Sequence, residues 1–121
     1  MPDELILVAD DSPTEQKMVV SALVARGYRV ITACDGEEAL AKAAEEQPRL
    51  VVLDVVTPRK NGFQVCRQLK TAAETSAIKV LLLTSKTQES DKFWGMKQGA
   101  DGYLTKPFAG DDLVAGVTRL L

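Results

Sequence analysis

The sequence contains no histidine, and this absence excludes several kinds of chemistry. A Ser-His-Asp triad, a Cys-His pair, a histidine zinc site and a phosphorylated histidine all require an imidazole. Cysteine is almost as scarce, because Cys34 and Cys66 are the two in the chain and their spacing fits no zinc or redox motif. We therefore expect two reduced, buried thiols. Any chemistry must rest on carboxylates, hydroxyls and amines.

Long apolar runs and a strong excess of one charge are absent as well. No stretch is apolar over enough residues to span a bilayer, and the N-terminal segment MPDELILVADD lacks the basic region of a signal peptide. The formal net charge is −2, and no basic stripe of the kind that binds nucleic acid is present. We predict a cytoplasmic protein with neither a membrane partner nor a nucleic-acid partner.

What the chain does contain is a regular alternation of short apolar runs with segments of helical spacing. The predicted strands cover residues 4–9, 28–33, 50–53, 78–84 and 102–105. Strict alternation of apolar strands with helices implies a parallel sheet that is covered by helices on both faces. We therefore predict one α/β domain of five strands and five helices over residues 1–121, without a linker or a second domain.

Local signals predict where the helices begin and end. Ser12 and Glu15 have the S-x-x-E spacing of a capping box, Pro13 occupies the first helical position, and Gly27 suits the end of this helix. The residues of the first helix predicted to face the core are Met18, Val19, Ala22 and Leu23. Further helices are predicted from about residues 35 and 63, over 87–99, and at the C-terminus.

Polar side chains follow four of the five predicted strands. Asp10 and Asp11 follow the first strand, Asp54 follows the third, Thr84 ends the fourth and Lys106 follows the fifth. Ligands of open α/β sheets bind at the carboxyl ends of the strands, so we expect these groups at one edge. Asp54 is the strongest signal, because it directly follows an unbroken apolar run and a buried charge is costly unless it is paired.

The residue types at this edge indicate phosphoryl chemistry. Three carboxylates repel one another and stay ionised together only around a cation. Without imidazole or thiolate ligands, that cation is a hard ion such as Mg²⁺ or Mn²⁺. The ammonium of Lys106 suits a phosphoryl group, to which Thr84 can donate a hydrogen bond. Since an aspartate can form an acyl phosphate, the residues predict Mg²⁺-dependent phosphoryl transfer to Asp54.

The stretches that hold these residues resemble the receiver domain of response regulators in two-component signalling. VADDSPTE, VVLDVVTPRKNG, LLLTSK and YLTKPF carry the resemblance, which covers the whole chain. It implies the CheY-like, flavodoxin-like doubly wound sheet with strand order 2-1-3-4-5. AETSAI and DKFWGMKQGADGYLTKP further resemble the stand-alone, PilH-like regulators of type IV pilus (twitching motility) systems, and cyanobacterial phototaxis regulators share parts of these stretches.

The resemblance implies a role for each acidic residue of the site. Asp54 is the phosphoacceptor. Asp11, Asp54 and the backbone carbonyl of Val56 bind Mg²⁺ directly, with Mn²⁺ as an alternative ion. Asp10 supports the metal through a bound water. No other cofactor is implied.

The resemblance also implies a conformational switch. Lys106 contacts a phosphoryl oxygen, and its bond to Pro107 is expected to be cis. On phosphorylation Thr84 moves toward the phosphoryl group and the ring of Tyr103 turns inward. These movements alter the face formed by the fourth helix, the fifth strand and the fifth helix, where partners dock.

The implied function is a stand-alone signalling switch rather than an enzyme with a turnover substrate. The chain takes a phosphoryl group from a histidine kinase, or from its phosphotransfer domain, and returns it to water. A downstream protein binds the face formed by the fourth helix, the fifth strand and the fifth helix, since no output domain is expected. We expect a monomer, or a dimer that forms on phosphorylation, in a pilus or chemotaxis-like pathway.

Three residues depart from the family pattern, and the role of a fourth has two interpretations. Thr57 stands before Pro58, where an apolar residue is usual. Val56 and Lys86 stand two residues after Asp54 and Thr84, and neither side chain positions an attacking water well. We therefore predict slow self-dephosphorylation. Trp94 of the fourth helix is either packed at the edge of the core or a contact for a partner.

Other functions remain open from the sequence. A Mg²⁺-dependent phosphatase with an aspartyl nucleophile uses similar groups, but it commonly has a second aspartate where this chain has Val56. A binding scaffold that is never phosphorylated is a further alternative, which the full set of site residues disfavours. A flavin carrier would need a Ser/Thr-rich loop after the first strand, where DDSPTE places two acids instead.

Overall fold

A parallel β-sheet organises the protein. The structure, a computed structural model, describes residues 4–55, 61–85 and 98–121. In these ranges the strands are β1 (Leu5–Ala9), β2 (Arg29–Ala33), β3 (Leu50–Asp54), β4 (Lys79–Ser85) and β5 (Gly102–Lys106). All neighbouring strands pair in parallel, in the order β2-β1-β3-β4-β5. The predicted strands and their order are confirmed.

Four helices lie within the described ranges. They are α1 (Pro13–Val24), α2 (Gly36–Glu46), α3 (Gly62–Thr71) and a C-terminal helix (Gly110–Leu120), which is the fifth helix of the prediction. The predicted fourth helix, over 87–99, falls mostly outside the described residues, and so does Trp94. Of the helices that are described, none has the length and apolarity of a membrane span.

The predicted start of α1 is confirmed, but only half of the capping box forms. Ser12 Oγ accepts a hydrogen bond from the N–H of Glu15 at 3.4 Å. The N–H of Ser12 does not bond to Glu15, because it donates to Oδ1 of Asp10 at 2.9 Å. Gly27 follows the helix with a φ of 91°, a left-handed conformation that glycine adopts without strain. The carboxylate of Glu15 is therefore available for another contact.

Apolar side chains cover the sheet on both faces. One cluster joins Leu7, Val51 and Leu82 to the inward sides of α2 and α3. The other joins strand residues such as Val8 and Val52 to α1 and the C-terminal helix. All five residues of β3 are buried, including Asp54 at its end, so the sheet carries this carboxylate to the border of the core.

Two predictions of burial are wrong. Met18 is 42% exposed. Val19 and Leu23 face the sheet, and Met18, one position before Val19 on the helix, points away from it. Cys34 is also exposed, because it lies just beyond the end of β2, which is an edge strand. Cys66 is buried as predicted, and both thiols are free.

Candidate functional site

The carboxyl edge of the sheet brings together residues that are far apart in sequence. Asp54 ends β3 and Lys106 ends β5. The ammonium of Lys106 donates a hydrogen bond to Oδ2 of Asp54, with 2.6 Å between the two atoms. Burial opposes the charge on Lys106, but hydrogen bonds to Asp54 and Glu15 outweigh it and raise the pKa of the lysine. Lys106 is therefore a stable positive charge beside the predicted acceptor.

Glu15 is a site residue that the sequence reasoning missed. It lies in the first turn of α1, and its Oε1 is 2.5 Å from Nζ of Lys106. Its spacing from Ser12 predicts a role in the capping box, but the carboxylate contacts Lys106 instead. Its place in the first turn after β1 was the available signal, because that turn starts at the carboxyl edge of the sheet.

Three carboxylates converge at this edge. Oxygen atoms of Asp10, Glu15 and Asp54 lie within 4.8 Å of one another. Asp11 is not among these three, and its side chain is exposed. Val56, whose carbonyl the resemblance makes a metal ligand, lies outside the described residues. The structure thus unites Asp10 and Asp54 as predicted and adds Glu15 to them.

Asp10 lies in an environment that suits a bound cation. It is 1% exposed, and its Oδ2 has no hydrogen-bond partner. Burial raises the pKa of Asp10 to about 6, the N–H of Ser12 lowers it and the charge of Asp54 raises it further. An orphaned buried oxygen among carboxylates is a place where a hard divalent ion would satisfy an otherwise costly group. The donor set therefore fits Mg²⁺ or Mn²⁺.

Thr84 also reaches the edge with an unused polar group. It is 2% exposed, and its Oγ1 has no hydrogen-bond partner. In the β4–β5 register Thr84 pairs with Thr105, and Leu82 pairs with Tyr103. Because side chains alternate along a strand, Thr84 and Tyr103 lie on the same face of the sheet. Tyr103 is 38% exposed there, so its ring is accessible at the surface.

The backbone next to the site shows the predicted cis peptide. The bond between Lys106 and Pro107 is cis. At the other end of the site, Gly62 passes so close to the end of β3 that an added Cβ would lie 2.7 Å from the carbonyl oxygen of Asp54. A side chain at this position would therefore force the backbone away from the acceptor.

The strand order, the contact between Asp54 and Lys106 and the clustered carboxylates define a doubly wound α/β domain with a charged site at the carboxyl edge of its sheet. The sequence profile of the response regulator receiver domain matches residues 6–118. The chain belongs to this family. Receiver domains are signalling switches that histidine kinases phosphorylate and that act on downstream targets, and they bind Mg²⁺ at an acidic pocket.

Individual proteins of similar sequence or structure support the assignment to the receiver-domain family. Protein PilH of Pseudomonas aeruginosa is 46% identical over 116 residues, which are 96% of each chain. PhoP of Bacillus subtilis, an alkaline phosphatase synthesis transcriptional regulatory protein, is 45% identical over 96% of this chain, which spans only 48% of that protein. The structure of the chemotaxis response regulator CheY4 of Vibrio cholerae is 34% identical and superposes with a TM-score of 0.92, covering 98% of this chain and 99% of that one. The predicted resemblance to CheY-like and PilH-like regulators is confirmed.

Proposed function

We propose that the protein is a stand-alone response regulator in which Asp54 accepts a phosphoryl group from a histidine kinase or its phosphotransfer domain. The observation that carries the proposal is the pairing of Asp54 with Lys106 at 2.6 Å, at the end of a strand that is buried throughout. A buried carboxylate is costly unless a cation faces it, and Lys106 supplies that cation beside the proposed nucleophile.

The transfer needs little from the protein beyond position and charge. A carboxylate oxygen of Asp54 attacks the phosphorus of a phosphohistidine. The oxygen–phosphorus bond forms, the nitrogen–phosphorus bond breaks, and its electron pair remains on the imidazole. Lys106 neutralises a phosphoryl oxygen, and the unpartnered hydroxyl of Thr84 donates to another. Water later attacks the phosphorus, which releases inorganic phosphate and restores the carboxylate of Asp54.

We assign the metal site to Asp11 and Asp54 with the carbonyl of Val56, and to Asp10 through a water. When bound, Mg²⁺ would neutralise the carboxylates and the charge of the phosphoryl group. Support for the parts played by Asp10 and Asp54 comes from the orphaned Oδ2 of Asp10 and from an acidic cluster without softer ligands, whereas Asp11 and Val56 are assigned from the family resemblance. Mn²⁺ meets the same requirements.

The output is proposed to pass through protein contact. Thr84 and Tyr103 lie on one face of the sheet, which supports their assignment as the switch pair. Their movement would alter the surface formed by β5, the C-terminal helix and the predicted fourth helix. The similarity to PilH over 96% of both chains supports a single-domain, cytoplasmic regulator of a pilus or chemotaxis-like pathway, monomeric or dimeric on phosphorylation.

Acetyl phosphate tests the proposal without knowledge of the kinase. We expect intact-mass spectrometry to show one phosphoryl adduct after incubation with acetyl phosphate and Mg²⁺. The adduct should be lost with EDTA and in Asp54→Asn. An adduct that persists in Asp54→Asn would place the acceptor elsewhere, and no adduct under any condition would favour a scaffold that is never phosphorylated.

A further inference from the structure

Lys106 is shared between two carboxylates, and the proposed function uses only one of them. Its Nζ lies 2.6 Å from Asp54 Oδ2 and 2.5 Å from Glu15 Oε1. Glu15 is not held there by helix capping, because Asp10 accepts the Ser12 N–H that a complete capping box would give to Glu15. The contact between Glu15 and Lys106 therefore calls for a role of its own.

We propose that Glu15 is a positioning residue that holds Lys106 in the unphosphorylated protein and is displaced when Asp54 carries a phosphoryl group. This inference rests on the proposed function. Oxygen atoms of Glu15 and Asp54 belong to the same cluster within 4.8 Å, so a phosphoryl dianion on Asp54 would repel the glutamate. The phosphoryl oxygens would also offer Lys106 a better partner than a carboxylate.

Glu15 is free to leave at little cost. Its side chain is 44% exposed, whereas that of Asp54 is 9% exposed and cannot turn into solvent. Rotation of Glu15 away from the edge would return its carboxylate to water. The unphosphorylated state is thus favoured by a salt bridge that the phosphorylated state lacks.

Removal of the Glu15 charge should change the affinity for Mg²⁺ and the affinity for a phosphoryl mimic in opposite directions. Glu15 adds a negative charge beside the proposed metal ligands and shares the ammonium of Lys106 with Asp54, so its loss should weaken the binding of Mg²⁺. Glu15 opposes an anion on Asp54, so its loss should strengthen the binding of a phosphoryl mimic. General damage to the site would weaken the binding of both ligands. Opposite changes in the two affinities therefore distinguish the loss of the Glu15 charge from general damage.

The test compares Glu15→Gln with Glu45→Gln, which removes the same charge from an exposed position on α2. Calorimetric titration with Mg²⁺ alone should show an affinity about three- to fivefold weaker for Glu15→Gln than for the wild type. Titration with beryllofluoride at saturating Mg²⁺ should show an affinity about three- to fivefold tighter. Glu45→Gln should match the wild type in both titrations.

Each other outcome overturns the inference. If Glu15→Gln behaves like Glu45→Gln, or weakens both ligands, Glu15 does not compete with the phosphoryl group, while the proposed function stands as long as the wild type binds beryllofluoride. If the wild type binds no beryllofluoride in the presence of Mg²⁺, the proposed function fails and the inference fails with it.

Discussion

The ammonium of Lys106 and the carboxylate of Asp54 meet at 2.6 Å across the end of β4, which lies between their strands. The register explains how they meet, because Asp54 pairs with Leu83 while Lys106 pairs with Ser85, two residues further along β4. The backbone of Lys106 therefore lies beyond the end of β3, and its side chain extends back over β4 to Asp54. This ion pair joins strands that share no hydrogen bonds and fixes the geometry of the edge.

Lys106→Met should destabilise the metal-free protein, because Asp54 and Asp10 would lose the cation that faces them. We expect the free energy of unfolding in EDTA to fall by about 2 kcal/mol, as measured by urea denaturation. Lys79→Met is the matched control, since Lys79 is exposed at the opposite end of β4 and its loss should change stability by less than about 0.5 kcal/mol. Equal losses in the two variants would show that Lys106 does not compensate the buried carboxylates.

Thr84→Val should leave the unphosphorylated protein as stable as the wild type or more stable, because the hydroxyl it removes is buried without a partner. Thr75 provides the contrast, since its buried hydroxyl donates to the carbonyl of Leu69 at 2.7 Å. We expect Thr75→Val to lose about 1–2 kcal/mol in urea denaturation. With acetyl phosphate, Thr84→Val should reach a lower phosphorylated fraction. A loss of stability equal to that of Thr75→Val would mean that Thr84 has a structural hydrogen bond.

Cys66 should make the protein less stable at high pH. Burial raises the pKa of its thiol to about 11 from an ordinary value of 9.0, with Lys70 lowering the pKa and Asp101 raising it. The unfolded chain therefore releases this proton first, and the free energy of unfolding falls as pH rises from about 9 toward 11. By pH 10 the loss should be about 1 kcal/mol.

The control for this pH dependence is Cys66→Ala, which lacks the titrating thiol. At pH 7.5 this variant should be less stable than the wild type, because it leaves a cavity in the core. The difference between the two proteins should narrow by pH 10. A difference that stays constant between pH 7.5 and pH 10 would show that the thiol does not titrate between them.

Val56→Asn should shorten the lifetime of the phosphorylated protein severalfold. Val56 stands two residues after the acceptor and cannot hydrogen-bond an attacking water, whereas an asparagine amide can. The release of inorganic phosphate after removal of acetyl phosphate measures the lifetime. Val24→Asn, at an exposed position on α1, controls for the change of residue type. An unchanged lifetime in Val56→Asn would show that the side chain at position 56 does not limit self-dephosphorylation.

The strands were predictable because their signal is local and strong. Residues 50–53 are apolar without a break, and a strand buried on both faces requires that pattern. Cys34 shows the limit of such reasoning. Its burial depended on whether β2 lies at the edge of the sheet, and this is a property of strand order rather than of local sequence.

The meeting of Asp10, Asp54 and Lys106 was predictable, because Asp10 directly follows β1 while Asp54 and Lys106 end β3 and β5. Glu15 was missed because its spacing from Ser12 had a sufficient explanation in helix capping. Only the competing bond from Ser12 to Asp10 leaves the glutamate available to Lys106. Such competition depends on atomic positions that spacing alone does not determine. The parts of the prediction that rest on Val56 and Trp94 lie outside the described residues and stay predictions.

The most direct test of the central claim is to locate the acyl phosphate. Borohydride reduction of the protein treated with acetyl phosphate and Mg²⁺ converts a phosphorylated aspartate to homoserine, which peptide mass spectrometry can locate. Oxygen atoms of Asp10 and Glu15 lie within 4.8 Å of those of Asp54, so the measurement tells the predicted acceptor from the carboxylates beside it. We predict homoserine at position 54 alone. Reduction at position 10 or 15, or at no carboxylate, would contradict the assignment of Asp54 as the phosphoacceptor.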